Sequence, residues 1–297
     1  MQRTHFITFL LGCFSVVLLG QSHLTLTVDN DLYFRSDFYY SSGLFLEHGK
    51  ERTQDTTLAE RQFRHWKLGQ LIYTPRKRYA TQRDQLDYPF SGYLFLRYSQ
   101  EKIRPGRSGY TYGAEIGVSG DASLAKPVQN LYHELVLQLP PLSWTAQMPQ
   151  QLHAGIRATY FRTYALTDGI AWVPDVSAVA STHQTLLSAR MGLVLGSTQK
   201  IPWDVNPLLN TVKGWGVYAG WQQQYLFYDF PLEGSLFNDL AAFTLPPNRL
   251  RNRFEIGLTL HNEQWKILGT MVSSSRDTAT QRDPRHEFLT LCISRFF

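Results

Sequence analysis

The feature that most restricts what this chain can become is a period of two, repeated in segment after segment. Leu152, Ala154, Ile156, Ala158 and Tyr160 alternate with His153, Gly155, Arg157 and Thr159. Phe254, Ile256, Leu258 and Leu260 alternate with Glu255, Gly257, Thr259 and His261, and Tyr112–Val118 and Leu187–Leu195 repeat the pattern. Strict alternation gives a strand one apolar and one polar face. The polar set here mixes Arg, Glu and His with many glycines. In a soluble sandwich that face would meet bulk water. In a membrane barrel it turns inward and the apolar face meets lipid.

About twelve such segments occur, centred near residues 26, 45, 70, 95, 114, 157, 173, 191, 220, 257, 269 and 292. An even number suits a bacterial barrel. The last segment runs from His286 to a terminal Phe297. Trp66, Tyr73, Tyr93, Tyr98, Tyr160, Phe161, Trp215, Tyr225 and Trp265 fall near segment ends, where they read as interfacial girdles or, alternatively, as ordinary strand aromatics. The expected fold is all-β: a membrane-spanning antiparallel β-barrel of about 12 strands.

The first residues read as a secretory signal: Arg3, then the apolar run Phe6–Gly20, then Gln21-Ser22. The expected division is a signal peptide over 1–22 and an outer-membrane barrel domain over 23–297. No later apolar run is long enough for a transmembrane helix. Cys13 lies in the signal, so Cys292 would stand alone and no disulfide can form in the mature chain. The formal charge of +5 falls to +4 without Arg3. With no clustered basic helix, nucleic acid is excluded as a partner, and basic loops facing phosphorylated lipid headgroups fit better.

One segment departs from the period. In 123–139, Val128, Leu131, Leu135 and Leu139 recur at helical spacing. Ser123 is the expected N-cap, Pro127 suits a first turn, and Pro140-Pro141 stops the helix. Gln129 and His133, four apart, share a face. A short helix near one barrel mouth is therefore expected.

The residues with chemistry are few. The stretch Val28–Gly43 holds more oxygen-bearing side chains than a turn needs. Asn30, Asp31 and Ser41 can serve as ligands of a hard cation such as Ca2+, while Asp29 and Asp37 read as ordinary turn residues. The alternative, an Asx-rich loop joining two strands, stays open at this point. His133 is the candidate base, with Gln129 one turn away. A His that deprotonates water beside a calcium that stabilises the oxyanion suffices for ester hydrolysis without a nucleophilic serine. No Gly-x-Ser-x-Gly elbow and no His-x-x-x-His pair occurs. Arg76, Lys77 and Arg78 are three adjacent cations that can pair with a phosphorylated headgroup.

These residues occur in an order that resembles the outer-membrane lipid A 3-O-deacylases. The series is Asn30-Asp31, Tyr40-Ser-Ser-Gly43, Ile72-Tyr-Thr-Pro75, Asp87–Gly92, Gly117-Val-Ser-Gly120 and Gln129-x3-His133. Pro174–Val179, Tyr218-Ala-Gly220 and Leu232–Phe237 continue it. The resemblance implies a twelve-stranded barrel with its active site between the wall and a short helix. It implies calcium-dependent removal of the 3-acyloxyacyl chain of lipid A, with lipopolysaccharide as partner and a monomer in the Gram-negative outer membrane. By position, Asn30 and Asp31 match the calcium side, and Gln129 and His133 match the helix pair carrying the catalytic base. Ser41 stands where the family usually has Thr, and Lys77 and Arg78 fall near its basic headgroup contacts. One departure stands out. The acid that the family usually carries beyond the His is missing: Leu142–Gln151 contains none, and Glu134 points to another helix face. That loss keeps two rivals in view: a catalytically impaired barrel acting as a structural or lipid-binding protein, and a porin-like channel.

Overall fold

The computed structural model describes residues 22–34, 37–52, 60–104, 108–197, 208 and 213–297. The strands are β1 (Ser22–Asn30), β2 (Tyr39–Glu51), β3 (Arg61–Thr74), β4 (Ser91–Arg104), β5 (Ser108–Ser119), β6 (Leu152–Arg162), β7 (Tyr164–Thr167), β8 (Ile170–Ser181), β9 (Gln184–Gly196), β10 (Gly214–Asp229), β11 (Leu250–His261), β12 (Trp265–Ser275) and β13 (Arg285–Phe296). Apart from β6 and β7, sequence neighbours pair antiparallel, and β1 pairs with β13 from His23↔Phe296 to Asn30↔Leu289. β6 pairs directly with β8, so twelve strands close into a barrel. The thirteenth, β7, is β6 resuming after Thr163 and lengthening the same hairpin with β8. All twelve expected segment centres fall within strands.

The alternation sorts the two faces as a lipid environment requires. Leu44, Leu46, Leu68, Leu96, Ile116, Ile156, Leu193, Ile256 and Leu258 are exposed on the outer wall. The inner wall carries ion pairs, among them Arg97–Glu115 at 2.7 Å, Arg190–Asp175 at 2.5 Å and Arg251–Asp229 at 2.7 Å. Charges inside a narrow barrel are far from bulk water, and these three pairs each join neighbouring strands. The expected girdle is corrected in part. Trp66, Tyr160, Trp215 and Tyr225 are exposed, but Tyr93 and Phe161 are buried and Tyr73 packs with Tyr39 and Tyr88. Position along a strand does not fix which face an aromatic takes; register does.

The signal segment lies outside the described residues, and the first of these, Ser22, opens β1. The longer connections, 75–90, 120–151 and 230–249, gather at the end where β1 finishes and β2 begins. The 230–249 connection starts with a single helical turn, Phe230–Glu233. The connection 120–151 carries the main helix, α1 (Ala125–Tyr132).

The start of α1 differs from expectation. Ser123 belongs to a preceding 3-10 turn, Gly120–Ser123, and its hydroxyl donates to Gly120 O at 2.6 Å. Leu124, left-handed with φ 57°, stands between that turn and the helix, so Ser123 is not the cap. After Tyr132 the helix widens into one π turn, His133–Leu137, and ends at Gln138. Such single π turns often sit at functional positions. The face that the spacing would bury is the exposed one: Leu131, Leu135 and Val136 lie open on the outside, whereas Gln129 and His133 are buried against the wall. An amphipathic helix turned this way around requires an apolar medium on its outer side.

Candidate active site

α1 is held against the barrel at three places. Buried Gln70 on β3 donates from Nε2 to Ser123 O at 2.7 Å. Gly92 on β4 lets the helix start approach: a Cβ there would lie 2.3 Å from both Ala125 Cβ and Ser123 Oγ. Behind the π turn, Leu142 N–H donates to Asn130 Oδ1 at 2.8 Å, and Leu142 and Trp144 join Ile72, Leu86, Phe90 and Ala125 in one buried cluster. The helix is thus pinned at both ends, and its polar face is brought onto the outer ends of β1, β2 and β3.

Between helix and wall lies a cleft of about 420 Å³. Asn30, Ser41, Gln129 and His133 line it together with Asp37. Its floor is the outer wall itself, with Leu44, Leu289 and Leu291, and Val128 and Leu137 close its helix side. Polar chemistry and lipid-facing surface therefore meet in one place, outside the lumen.

His133 is 1% exposed and its Nε2 lies 3.1 Å from Asp37 Oδ2. The same carboxylate oxygen is 2.5 Å from Arg78 Nη1, which also donates to Asp37 O at 3.2 Å. His133 Nδ1 has no hydrogen-bond partner in the protein. Asp37 Oδ2 is near enough to pair with Nε2 by charge, although the contact is not aligned as a hydrogen bond; a proton placed on Nε2 faces that carboxylate and leaves the lone pair on Nδ1. Gln129 donates from Nε2 to Ser41 Oγ at 3.4 Å, and its buried Oε1 has no hydrogen bond in the protein. Tyr132, on the cleft rim, stays a neutral phenol because burial, reinforced by Tyr33 and Asp37, raises its hydroxyl above the usual range.

The structure brings together four of the five residues expected at the cation and base positions. Asn30 and Ser41 share the cleft with Gln129 and His133. Asn30 Oδ1 also accepts Leu32 N–H at 2.8 Å, as an Asx turn does, and retains a second lone pair. Asp31, fully buried, is turned to the other side of the wall: Oδ2 accepts Phe38 N–H at 3.0 Å and faces His286 Nε2 at 3.9 Å. Asp29 is no turn residue either, for it sits on β1 and accepts hydrogen bonds from Tyr40 at 2.6 Å and Thr290 at 2.7 Å.

Of the three cations, Arg78 reaches the site through Asp37. Arg76 pairs with Asp283 and covers the Phe38 ring at 5.1 Å, and Lys77 is exposed. The residue that sequence reasoning passed over is Asp37. Glu134, beside the His in sequence, is exposed as expected, and the acid beside the base comes instead from the loop between β1 and β2. Its one sequence signal is an extra carboxylate in a turn already supplied with Asn30 and Asp31.

The oxygen donors in the cleft suit a hard cation. Amide, hydroxyl and carboxylate groups are calcium-type ligands, and Gln129 Oε1 is a buried acceptor left without a donor.

Comparison with known proteins agrees with this architecture. The family described as outer membrane protein LpxR matches residues 6–297. None of the curated proteins matches the sequence. Among solved structures, LpxR from Salmonella typhimurium superimposes with a TM-score of 0.77 at 19% identity, covering 93% of this chain and 100% of that one. At that identity the likeness speaks for the fold. The β domain of the Bordetella autotransporter Brka gives a TM-score of 0.48 at 9% identity, over 93% of this chain and 97% of that one. A KdgM porin gives 0.44 at 6%, over 93% and 99%. Neither of these two is near enough to bear on the site.

Proposed function

The chain belongs to the LpxR family of outer-membrane proteins, the lipid A 3-O-deacylases, and on that premise we propose that it hydrolyses the ester holding the 3-acyloxyacyl chain of lipid A, with His133 activating the water. The observation that carries this reading is the His133–Asp37 pair in a cleft whose floor is lipid-facing wall.

Lipid A lies in the outer leaflet with its acyl chains along the outer wall. Leu44, Leu289 and Leu291 on the barrel and Val128 and Leu137 on the helix side offer those chains an apolar channel to the polar end of the cleft. There His133 Nδ1 takes a proton from water as the water oxygen attacks the acyl carbonyl carbon. The ester C–O bond then breaks, and the imidazolium returns its proton to the departing sugar hydroxyl. Asp37, with its carboxylate 3.1 Å from Nε2, stabilises the imidazolium by charge while the proton is in transit. Arg78 fixes the same carboxylate oxygen and the Asp37 backbone carbonyl. Asn30, Ser41 and Gln129 would hold a calcium ion at this end, with Asp31 one residue behind. When bound, that ion supplies polarisation of the acyl carbonyl and stabilisation of the charge that develops on its oxygen. Gln129 orients Ser41 by donating to its hydroxyl, which keeps both oxygens on one side of the cleft.

The rival reading as an impaired scaffold rested on the acid missing from 142–151. Asp37 supplies a carboxylate at the base from another part of the chain, which removes the main support for that reading. The test is mass spectrometry of lipid A from membranes carrying the protein, incubated with and without calcium. Wild type with calcium releases the 3-acyloxyacyl group, and His133→Ala leaves lipid A intact. Intact lipid A in the wild type, or equal loss in His133→Ala, would overturn the proposal.

A further inference from the structure

Along the lumen, at the opposite end of the same three strands, a second group of residues converges. His23 on β1, Gly49 on β2 and His65 on β3 are direct cross-strand partners. Glu47, two residues before Gly49, shares its face. Gly49 brings no side chain, so the two imidazoles meet over it: a Cβ there would lie 2.0 Å from His23 Nε2 and 2.7 Å from His65 Nδ1. Glu47 Oε1 completes the group, 3.3 Å from His65 Nδ1 and 3.9 Å from His23 Nε2. All three donor atoms fall within 4.8 Å of one another.

The surrounding hydrogen bonds engage the outer nitrogen of each ring and turn the other nitrogen to the gap. Thr25 donates its proton to Ser294 at 2.8 Å, so it accepts from His23 Nδ1–H at 2.8 Å, and the lone pair of His23 is on Nε2. Glu101 accepts from His65 Nε2–H at 3.2 Å, so Nδ1 is the nitrogen that faces the gap and that a metal would hold in place of a proton. Neither His23 Nε2 nor His65 Nδ1 has a hydrogen-bond partner, and His23 is fully buried. A ligating His whose other nitrogen donates to a carboxylate or hydroxyl is the usual outer-shell arrangement of a metal site. Lys67 holds Glu47 Oε2 at 2.6 Å and leaves Oε1 to point at the gap.

We infer that His23, Glu47 and His65 form a luminal site for a late first-row divalent metal, with zinc as the type. Two imidazoles and one carboxylate are ligands of that class, in contrast to the oxygen donors of the cleft. Ligand atoms about 2.0–2.2 Å from a tetrahedral zinc stand about 3.3 Å apart. The Glu47–His65 separation already has that value; His23 Nε2, 3.9 Å from Glu47 and within 4.8 Å of His65 Nδ1, would draw in on binding. The fourth position opens to the lumen, where a cavity of about 360 Å³ is lined in part by Glu47, His65, Lys67 and Glu101. Seven residues along β1 separate His23 from Asn30, about 23 Å at strand rise, so the site is independent of the cleft. The metal would tie β1, β2 and β3 beside the β1–β13 seam.

The experiment uses the whole mature barrel folded in detergent micelles, stripped with EDTA and titrated with Co2+. Wild type should develop the visible absorption of tetrahedral cobalt, saturating at one equivalent and displaced by Zn2+. His65→Ala should abolish the absorption, Glu101→Gln should weaken binding about 10–100-fold, and His133→Ala should leave it unchanged. Folding of each variant is read from the resistance of the barrel to unfolding in cold SDS. Should His65→Ala not fold, Glu47→Gln takes its place, and at least tenfold weaker binding is expected. A wild type without the absorption overturns the inference, as does binding unchanged by the folded His65 or Glu47 variant.

Discussion

Asp37 Oδ2 lies 3.1 Å from His133 Nε2, although 96 residues of chain separate the two. The loop between β1 and β2 and the helical connection after β5 meet at this contact, and through it Arg78 is coupled to the base. Most of what can be tested about the cleft follows from the contact.

Removing the base should cost the most. General base catalysis contributes about 10²–10⁴-fold, so His133→Ala should lower kcat by about that factor. Asp37→Asn keeps the shape and loses the carboxylate charge 3.1 Å from the imidazole, an interaction of about 1–4 kcal/mol, or roughly tenfold to several hundredfold in rate. The loss should fall on kcat, with KM little changed, because Asp37 acts through His133. Initial rates on dispersed lipopolysaccharide measure both.

The three adjacent cations should differ. Arg78 holds Asp37, so Arg78→Gln should reduce kcat by about tenfold, within the range of a lost charged hydrogen bond. Arg76 and its partner Asp283 are both more than a third exposed, and such a pair adds about 0–1 kcal/mol. Lys77→Gln and Arg76→Gln should therefore leave kcat unchanged and act, if at all, on KM. The same assay run on the three single variants separates them.

Gly92→Ala tests the seat of the helix. The added methyl would press on Ala125 and Ser123 at 2.3 Å, and overpacking of this kind costs about 1–3 kcal/mol. Because β4 is a continuous strand and α1 lies outside it, the strain should displace the helix and spare the barrel. Activity should fall while the cold-SDS resistance of the barrel persists. A variant that loses both would locate the strain in the wall.

Chelation tests the oxygen donors. EGTA should abolish deacylation and added Ca2+ restore it. Ser41→Thr keeps the hydroxyl and should remain active, whereas Ser41→Ala deprives buried Gln129 of its acceptor, a loss of about 1–3 kcal/mol, and should raise the Ca2+ concentration needed for half-maximal activity. A calcium titration of the three proteins decides it.

The barrel was legible because each strand writes its two faces into the sequence independently of its neighbours, from Leu152–Tyr160 to Phe254–His261. The helix was legible for the same reason, and Gln129 and His133 followed from their spacing. What stayed hidden depends on contacts between distant segments. Asp37 has no local pattern, since its meaning comes from a helix about a hundred residues away. Asp31 is read from the composition of its loop and Tyr93 from its place near a segment end, and neither signal reports the side of the wall that each side chain takes. The exposure of Leu131 and Leu135 reverses the usual reading of a helical stripe, because spacing reports which residues share a face and not which medium that face meets.

The cleft lies on the outer wall and opens sideways. A substrate that enters there never leaves the leaflet, so the encounter is a search in two dimensions. Its frequency is set by the surface mole fraction of lipid A and by lateral diffusion, and bulk concentration has no direct bearing on it. Dilution of lipid A with inert amphiphile at constant total lipid should slow turnover, while dilution of the whole suspension should not.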